Sequence, residues 1–255
     1  MRVAVFGPGG MLGRRVVKEL HAREHVPIPI YRTMFSPLEL DDLKRTLEDC
    51  QADAIVNCAG VIPVRDTSVV NMIYINSMFP HVLVQTGLPV ILVSTDCVFS
   101  GRSRYRYASY NIPDPKDYYG VSKRMGEVAA ANSTVVRTSF IGCEHGIMNE
   151  ILRLGKLDHP TIWRGWKNML WTGSTVQAVA AGLIDLLLDP KIGIVHLATE
   201  TVISKHDLSL LILERYNLRN VTVEECNEPY VNRALAPTHI LKPIRDALWE
   251  YECLG

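Results

Sequence analysis

The sequence predicts an α/β fold: a doubly wound parallel sheet covered by helices, with a small C-terminal lobe. Three observations carry that expectation. Short apolar runs alternate with helix-period segments through the first half of the chain. A glycine-rich turn joins the first apolar run to the first helical segment. The composition, 47% apolar and 21% charged over 255 residues, is that of an ordinary globular protein long enough to bury a substantial core.

The elements follow in order. Val3–Phe6 reads as a buried strand, and Met11–Arg23 has helical period through Leu12, Val16, Val17 and Leu20. Val26–Tyr31 is a second strand whose Pro27 and Pro29 suit a sheet edge. Leu40–Cys50 is an amphipathic helix, Ala54–Asn57 a third strand and Val69–Gln85 a long helix. Val90–Ser94, a helix over Asp117–Asn132, and Thr134–Thr138 continue the alternation. After Gly142 the pattern loosens, and Trp163, Trp166 and Trp171 cluster among Gly and Asn as in a substrate-side lobe. A helix over Ser174–Leu188, a strand over Ile194–Leu197 and a helix over Lys205–Tyr216 precede a tail with Pro229, Pro237 and Pro243. Residues 1–142, with 174–198 returning to them, are expected to form the nucleotide-binding domain. Residues 143–173 and 199–255 are expected to form the lobe.

Lys plus Arg equals Asp plus Glu at 27, so no net charge favours nucleic acid or an anionic membrane. Met1-Arg2 runs directly into a short apolar strand, and no secretory leader is expected. Val176–Leu188 carries Gln177 and Asp185, which argues against a membrane span. The six cysteines form no CxxC pair and the eight histidines no ligand spacing. Free thiols, a cytoplasmic location and no metal are expected.

Gly7-Pro8-Gly9-Gly10-Met11-Leu12-Gly13 sits between the first strand and the first helix. Glycines there permit positive φ and close approach of a dinucleotide pyrophosphate, while the helix N-terminus offers unpaired N–H groups. Gly7, Gly10, Met11, Leu12 and Gly13 are therefore candidate cofactor contacts in a Rossmann-type sheet. An acid at the end of the second strand would bind the ribose 2′-hydroxyl of NAD(H), whereas an arginine accommodates the 2′-phosphate of NADP(H). The strand ends Tyr31-Arg32-Thr33, so Arg32 favours NADP(H), with NAD(H) the alternative.

Tyr119-x-x-x-Lys123 places a phenol and an ammonium on one helix face. A neighbouring Lys⁺ is expected to lower the phenol pKa and make it a usable general acid. Thr95, at the end of the fourth strand, lies where ligands bind in open α/β sheets.

Together these segments resemble the extended short-chain dehydrogenases/reductases, and within them the dTDP-4-dehydrorhamnose reductases and related sugar-nucleotide reductases. The resemblance covers nearly the whole chain. Asn57-Cys58-Ala59-Gly60 resembles the family's strand end at the nicotinamide ribose, and Ser94-Thr95-Asp96-Cys97-Val98-Phe99 its catalytic Ser/Thr strand. Tyr119 and Lys123 match its catalytic pair, 24 residues beyond Thr95. Val136-Arg137-Thr138-Ser139 matches its strand into the lobe, and Gly193-Ile194-Val195-His196-Leu197 a late family segment. Cys97 replaces the usual aromatic and Phe140 the usual Trp, both on the substrate side.

The resemblance implies catalytic roles for Thr95, Tyr119 and Lys123 and cofactor contacts at Asn57, Cys58, Ala59 and Gly60. It implies substrate contacts at Thr95, Cys97, Phe99, Phe140 and Trp171. It also implies a nucleotide-sugar substrate reduced at C4, and a homodimer packed through the helices near 69–85 and 117–132. Asp96-Cys97 lacks the glutamate of a 4,6-dehydratase, and Arg32 argues against an NAD-dependent epimerase. A non-catalytic NADP-binding regulatory subunit, like the methionine adenosyltransferase beta subunit, is the alternative that the intact Thr95, Tyr119 and Lys123 oppose.

Overall fold

The computed structural model describes residues 1–63 and 68–254. The N-terminal half forms β1 (Arg2–Phe6), α1 (Met11–Ala22), β2 (Val26–Ile30), α2 (Leu40–Asp49), β3 (Ala54–Asn57), α3 (Val69–Met72), α4 (Phe79–Gln85), β4 (Val90–Thr95), α5 (Tyr118–Met125) and β5 (Ser133–Thr138). There follow β6 (Phe140–Ile141), α6 (Ile147–Gly155), β7 (Thr161–Trp166), β8 (Met169–Trp171), β9 (Ser174–Thr175), α7 (Val176–Leu188) and β10 (Gly193–Thr199). The chain closes with β11 (Ile203–Ser204), α8 (Lys205–Tyr216), β12 (Val221–Cys226), β13 (Val231–Asn232), β14 (His239–Leu241) and α9 (Ile244–Trp249).

The main sheet has seven strands in the order β14-β10-β5-β4-β3-β1-β2. β1 pairs in parallel with both β2 and β3, so the winding direction reverses beside it. Right-handed crossovers on either side of that reversal put helices on opposite faces and open a crevice at the strand ends. β3 and β5 are buried along their whole length, as strands covered on both faces must be. β2 is the edge strand that Pro27 and Pro29 call for. Alternate amides point to opposite sides of a strand, so both prolines turn their missing N–H the same way. Phe6, at the end of β1, sits 5.3 Å centroid to centroid from both Phe35 and Phe79 and anchors the core below the crevice.

The chain divides into two compact units. The first comprises Met1–Phe99, Ile112–Thr138 and Ala180–Val195, the second Ser100–Asn111, Ser139–Val179 and His196–Gly255. The second contains three small sheets, ordered β11-β8-β13, β12-β7 and β6-β9. In it Trp163 donates its indole N–H to Ser209 Oγ at 3.0 Å, and His196 is a fully buried strand residue.

Three expectations need correction. The helix expected over Val69–Gln85 is interrupted by a π-helical turn at Ile73–Met78, where the chain carries the buried Asn76. The helix expected over Asp117–Asn132 stops at Met125, capped by Gly126, and 126–132 turn back into β5. The cysteines are not all free thiols: Cys143 and Cys253 form a disulfide with Cα atoms 5.7 Å apart. Their separation of 110 residues gave no local pattern to find. Among the described residues, no helix is long and apolar enough to cross a membrane, and no three or more His, Cys, Asp or Glu side chains gather as a metal site would need.

Candidate active site

The glycine turn has the geometry a pyrophosphate cradle needs. Gly7 adopts φ +72°, and a Cβ there would stand 2.8 Å from the Ala59 backbone. A Cβ on Gly13 would stand 2.1 Å from the Gly7 carbonyl oxygen, so only glycine lets α1 pack this close to the turn. Gly10 caps α1 without any side-chain hydrogen bond, which leaves the first-turn N–H groups to the crevice. A cavity of about 340 Å³ opens there, lined among others by Gly7, Gly10, Tyr31, Arg32, Cys58 and Gly60. Arg32 and Tyr31 are exposed at its rim, and Met11 and Leu12 are buried in the first turn of α1. Asn57 is buried, and its Oδ1 accepts the Ala59 N–H at 3.1 Å, fixing the strand-end turn. These residues fit a dinucleotide: backbone donors for phosphates, an apolar slot, and a cation at the ribose end.

Thr95 ends β4. Its Oγ1 accepts the Cys97 N–H at 3.2 Å and donates to Asp96 Oδ1 at 3.3 Å, and the same hydroxyl acts to lower the pKa of the Tyr119 phenol. Asp117 starts α5 by accepting the Gly120 N–H on Oδ1 at 2.7 Å, which aims Tyr119 and Lys123 from the first turns of the helix. Lys123 Nζ donates to the Val93 carbonyl at 2.7 Å. Two β4 residues, Val93 and Thr95, thus receive or carry the catalytic candidates.

The electrostatics differ from the expectation. Burial pushes the Tyr119 phenol above its ordinary value, joined by Cys97, Asp96 and Asp117, and only the Thr95 hydroxyl opposes the rise. The ammonium does not lower it. Burial instead lowers Lys123 to about 8, against the opposing pull of Glu127 and Cys58. Burial also pushes the Cys58 thiol up to about 12, so Cys58 is a neutral wall. At neutral pH the phenol holds its proton, which is what a proton donor to a carbonyl requires.

The other candidates fall as follows. Cys97 is half-buried beside Thr95, and its Sγ lies 3.5 Å from Asp96 Oδ1. Phe99 is fully buried with the Arg137 guanidinium 5.0 Å above its ring, so its side chain belongs to the core. Phe140 and Trp171 lie in the second unit. Trp171 is 2% exposed, donates its indole N–H to Ser139 Oγ at 2.8 Å and carries Lys205 Nζ 4.0 Å from its ring centroid.

Sequence reasoning missed Asn76. Its Oδ1 accepts the Val61 N–H at 2.8 Å, and its Nδ2 donates to Val61 O at 2.9 Å and Ser122 Oγ at 3.0 Å. It ties α5 to the loop after Gly60 from within the π turn, a distortion that often marks a functional site. The available signal was an amide on the apolar face of an otherwise regular helix.

A glycine cradle at a topological switch point, beside a Thr–Tyr–Lys set, defines a protein of the short-chain dehydrogenase/reductase class. Residues 1–241 match the family model described as the RmlD substrate binding domain, and the chain belongs to that family. It is 25% identical over 249 residues to the spore coat polysaccharide biosynthesis protein SpsK of Bacillus subtilis, covering 93% of this chain and 87% of that one. It is 26% identical to a dTDP-4-keto-6-deoxy-D-glucose reductase of Streptomyces niveus over 71% of this chain and 68% of the relative. A dTDP-4-dehydrorhamnose reductase of Bacillus anthracis, solved in complex with NADP, superposes with a TM-score of 0.85 at 18% identity, covering 97% and 96% of the two chains.

Proposed function

We propose that this protein is an NADPH-dependent reductase of a nucleotide-diphosphate-linked 4-keto-6-deoxy sugar, acting in deoxysugar biosynthesis. The observation that carries the reading is the placement of Thr95 at the end of β4 beside Tyr119 and Lys123 of α5, at the strand ends that also hold the glycine cradle. The family and the reductase relatives support the substrate class. Arg32 at the end of β2 supports NADP(H).

When bound, the dinucleotide supplies hydride to the keto carbon. The chain's residues do the rest. Gly7, Gly10 and Gly13 let the turn and the N-terminus of α1 meet the pyrophosphate. Asn57, Cys58, Ala59 and Gly60 wall the nicotinamide end. Lys123 holds the ribose. Thr95 donates a hydrogen bond to the carbonyl and orients it, and Tyr119 delivers its proton to the same oxygen as hydride arrives. General acid help of this kind is worth about 10²–10⁴-fold, with positioning supplying the remainder. Cys97, Phe140 and Trp171 are assigned to the substrate side.

The proposal includes a cytoplasmic location and a homodimer. Val70, Ile73 and Met78 on the helical stretch 69–85, and Val121 and Met125 on α5, are exposed apolar side chains suited to a second copy. A monomeric mass by light scattering would reject the dimer. The activity itself is tested by NADPH oxidation at 340 nm over a panel of nucleotide-linked 4-keto-6-deoxy sugars. Turnover supports the reductase. Tight NADPH binding without turnover of any member supports a regulatory subunit instead.

A further inference from the structure

A buried carboxylate that the proposed reaction does not use lies directly behind the catalytic candidates. Glu127 follows Lys123 by one turn and its side chain is fully buried. Its Oε1 accepts from Ser94 Oγ at 2.7 Å and from Arg137 Nε at 2.8 Å, and its Oε2 accepts from Arg137 Nη2 at 2.8 Å. Arg124 approaches the same Oε2 at 3.4 Å from the rim. Ser94 and Arg137 are register partners on β4 and β5, so one carboxylate spans both strands from the stretch that leaves α5. Arg137 is itself buried and packs over Phe99.

The position of Ser94 gives this network its consequence. Val93 accepts from the Lys123 ammonium, Ser94 donates to Glu127, and Thr95 is the next residue of the strand, beside Tyr119. The carboxylate therefore grips the one residue between the strand's contact to the lysine and Thr95. A buried ion pair replaced by apolar groups often costs little stability, so stability alone is a weak reason to place one here. Resting on the reductase reading, we infer that Glu127 is a positioning residue: it locks the end of β4, which receives Lys123 at Val93 and carries Thr95, to the stretch that leaves α5, and so fixes where Lys123 sits. The Cys58 thiol, which burial keeps neutral, also acts on that ammonium. Glu127 is the carboxylate that raises it.

The test follows Lys123 directly, by NMR titration of ¹³C-lysine-labelled protein, with the resonance assigned through Lys123→Met. In Glu127→Gln the midpoint of Lys123 falls by about one pH unit, the size expected of a nearby opposite charge. Glu127→Gln strands Arg137, so Glu127→Gln/Arg137→Gln serves as the folded control with a neutral hydrogen-bonding pair. A structural role alone predicts that the double variant recovers both the melting temperature and the wild-type midpoint. The positioning role predicts recovery of the melting temperature only, and restoration of the midpoint in Glu127→Asp. An unchanged midpoint in both Gln variants overturns the inference. The same proteins are titrated with NADPH, expected to bind about tenfold more weakly to the double variant than to wild type. Wild type that binds no NADPH, yet shows the midpoint shift, removes the reductase reading and leaves the role of Glu127 standing.

Discussion

The crevice of the first unit and the Trp171 neighbourhood of the second treat their polar groups in opposite ways. In the crevice, groups are buried or half-buried with their titration displaced: the phenol held above its ordinary value, the ammonium lowered to about 8. Around Trp171 the indole N–H meets Ser139 and the ring face meets Lys205. The first arrangement keeps chemistry available at the cost of desolvation, and perturbed groups of that kind cluster at functional sites. The second satisfies its polar atoms locally, as a packed scaffold does. Burial alone therefore does not mark a site. Burial combined with an unequal set of partners does.

The sharpest way to break this contrast is Tyr119→Phe. Keto-sugar turnover should fall about 10²–10⁴-fold while NADPH still binds, because only the proton donor is removed. Full activity in that variant, measured by NADPH oxidation, would take the chemistry out of the crevice. Gly13→Ala comes next. Its Cβ meets a backbone oxygen that cannot step aside, so the variant should lose about 1–3 kcal/mol of stability and most of its NADPH affinity. Wild-type stability in a denaturant melt would show that the turn can relax.

The pH dependence is a finer probe. Lys123 is lowered to about 8, so its ammonium is present below that pH and lost above it. NADPH affinity should be level below pH 8 and decline as pH rises through it, long before an ordinary lysine would titrate. An affinity unchanged up to pH 10 would contradict the buried assignment. In the second unit Trp171→Phe should cost only about 1–2 kcal/mol, the indole hydrogen bond and part of the cation–π contact, read as a small drop in melting temperature. A rise in KM for the sugar nucleotide beyond that drop would support its place on the substrate side. The smallest effect is a thiol count: without reductant, denatured protein should titrate Cys50, Cys58, Cys97 and Cys226 but not Cys143 or Cys253.

Much of the first unit was legible because its signals are local. Strand period, the glycine spacing, Pro27 and Pro29 at an edge, and Tyr119 four residues before Lys123 each lie within a few residues, where backbone sterics and helix geometry act directly. The helix ends were less legible. Gly126 is a local stop signal, but nothing else in 126–132 says that the chain must turn back towards β5, and nothing near Asn76 announces a π turn. Both follow from what packs against them.

The amino-acid sequence by itself determined the strand–helix alternation, the cradle and the Thr95, Tyr119 and Lys123 candidates, because short-range geometry dictates them. Only the tertiary structure decided the charge states, since desolvation depends on every neighbour. It alone joined Cys143 to Cys253, seated Trp171 against Ser139 and Lys205, and brought Glu127 to Ser94 and Arg137. Contacts between residues distant in the chain exist only once the sheet has closed around them.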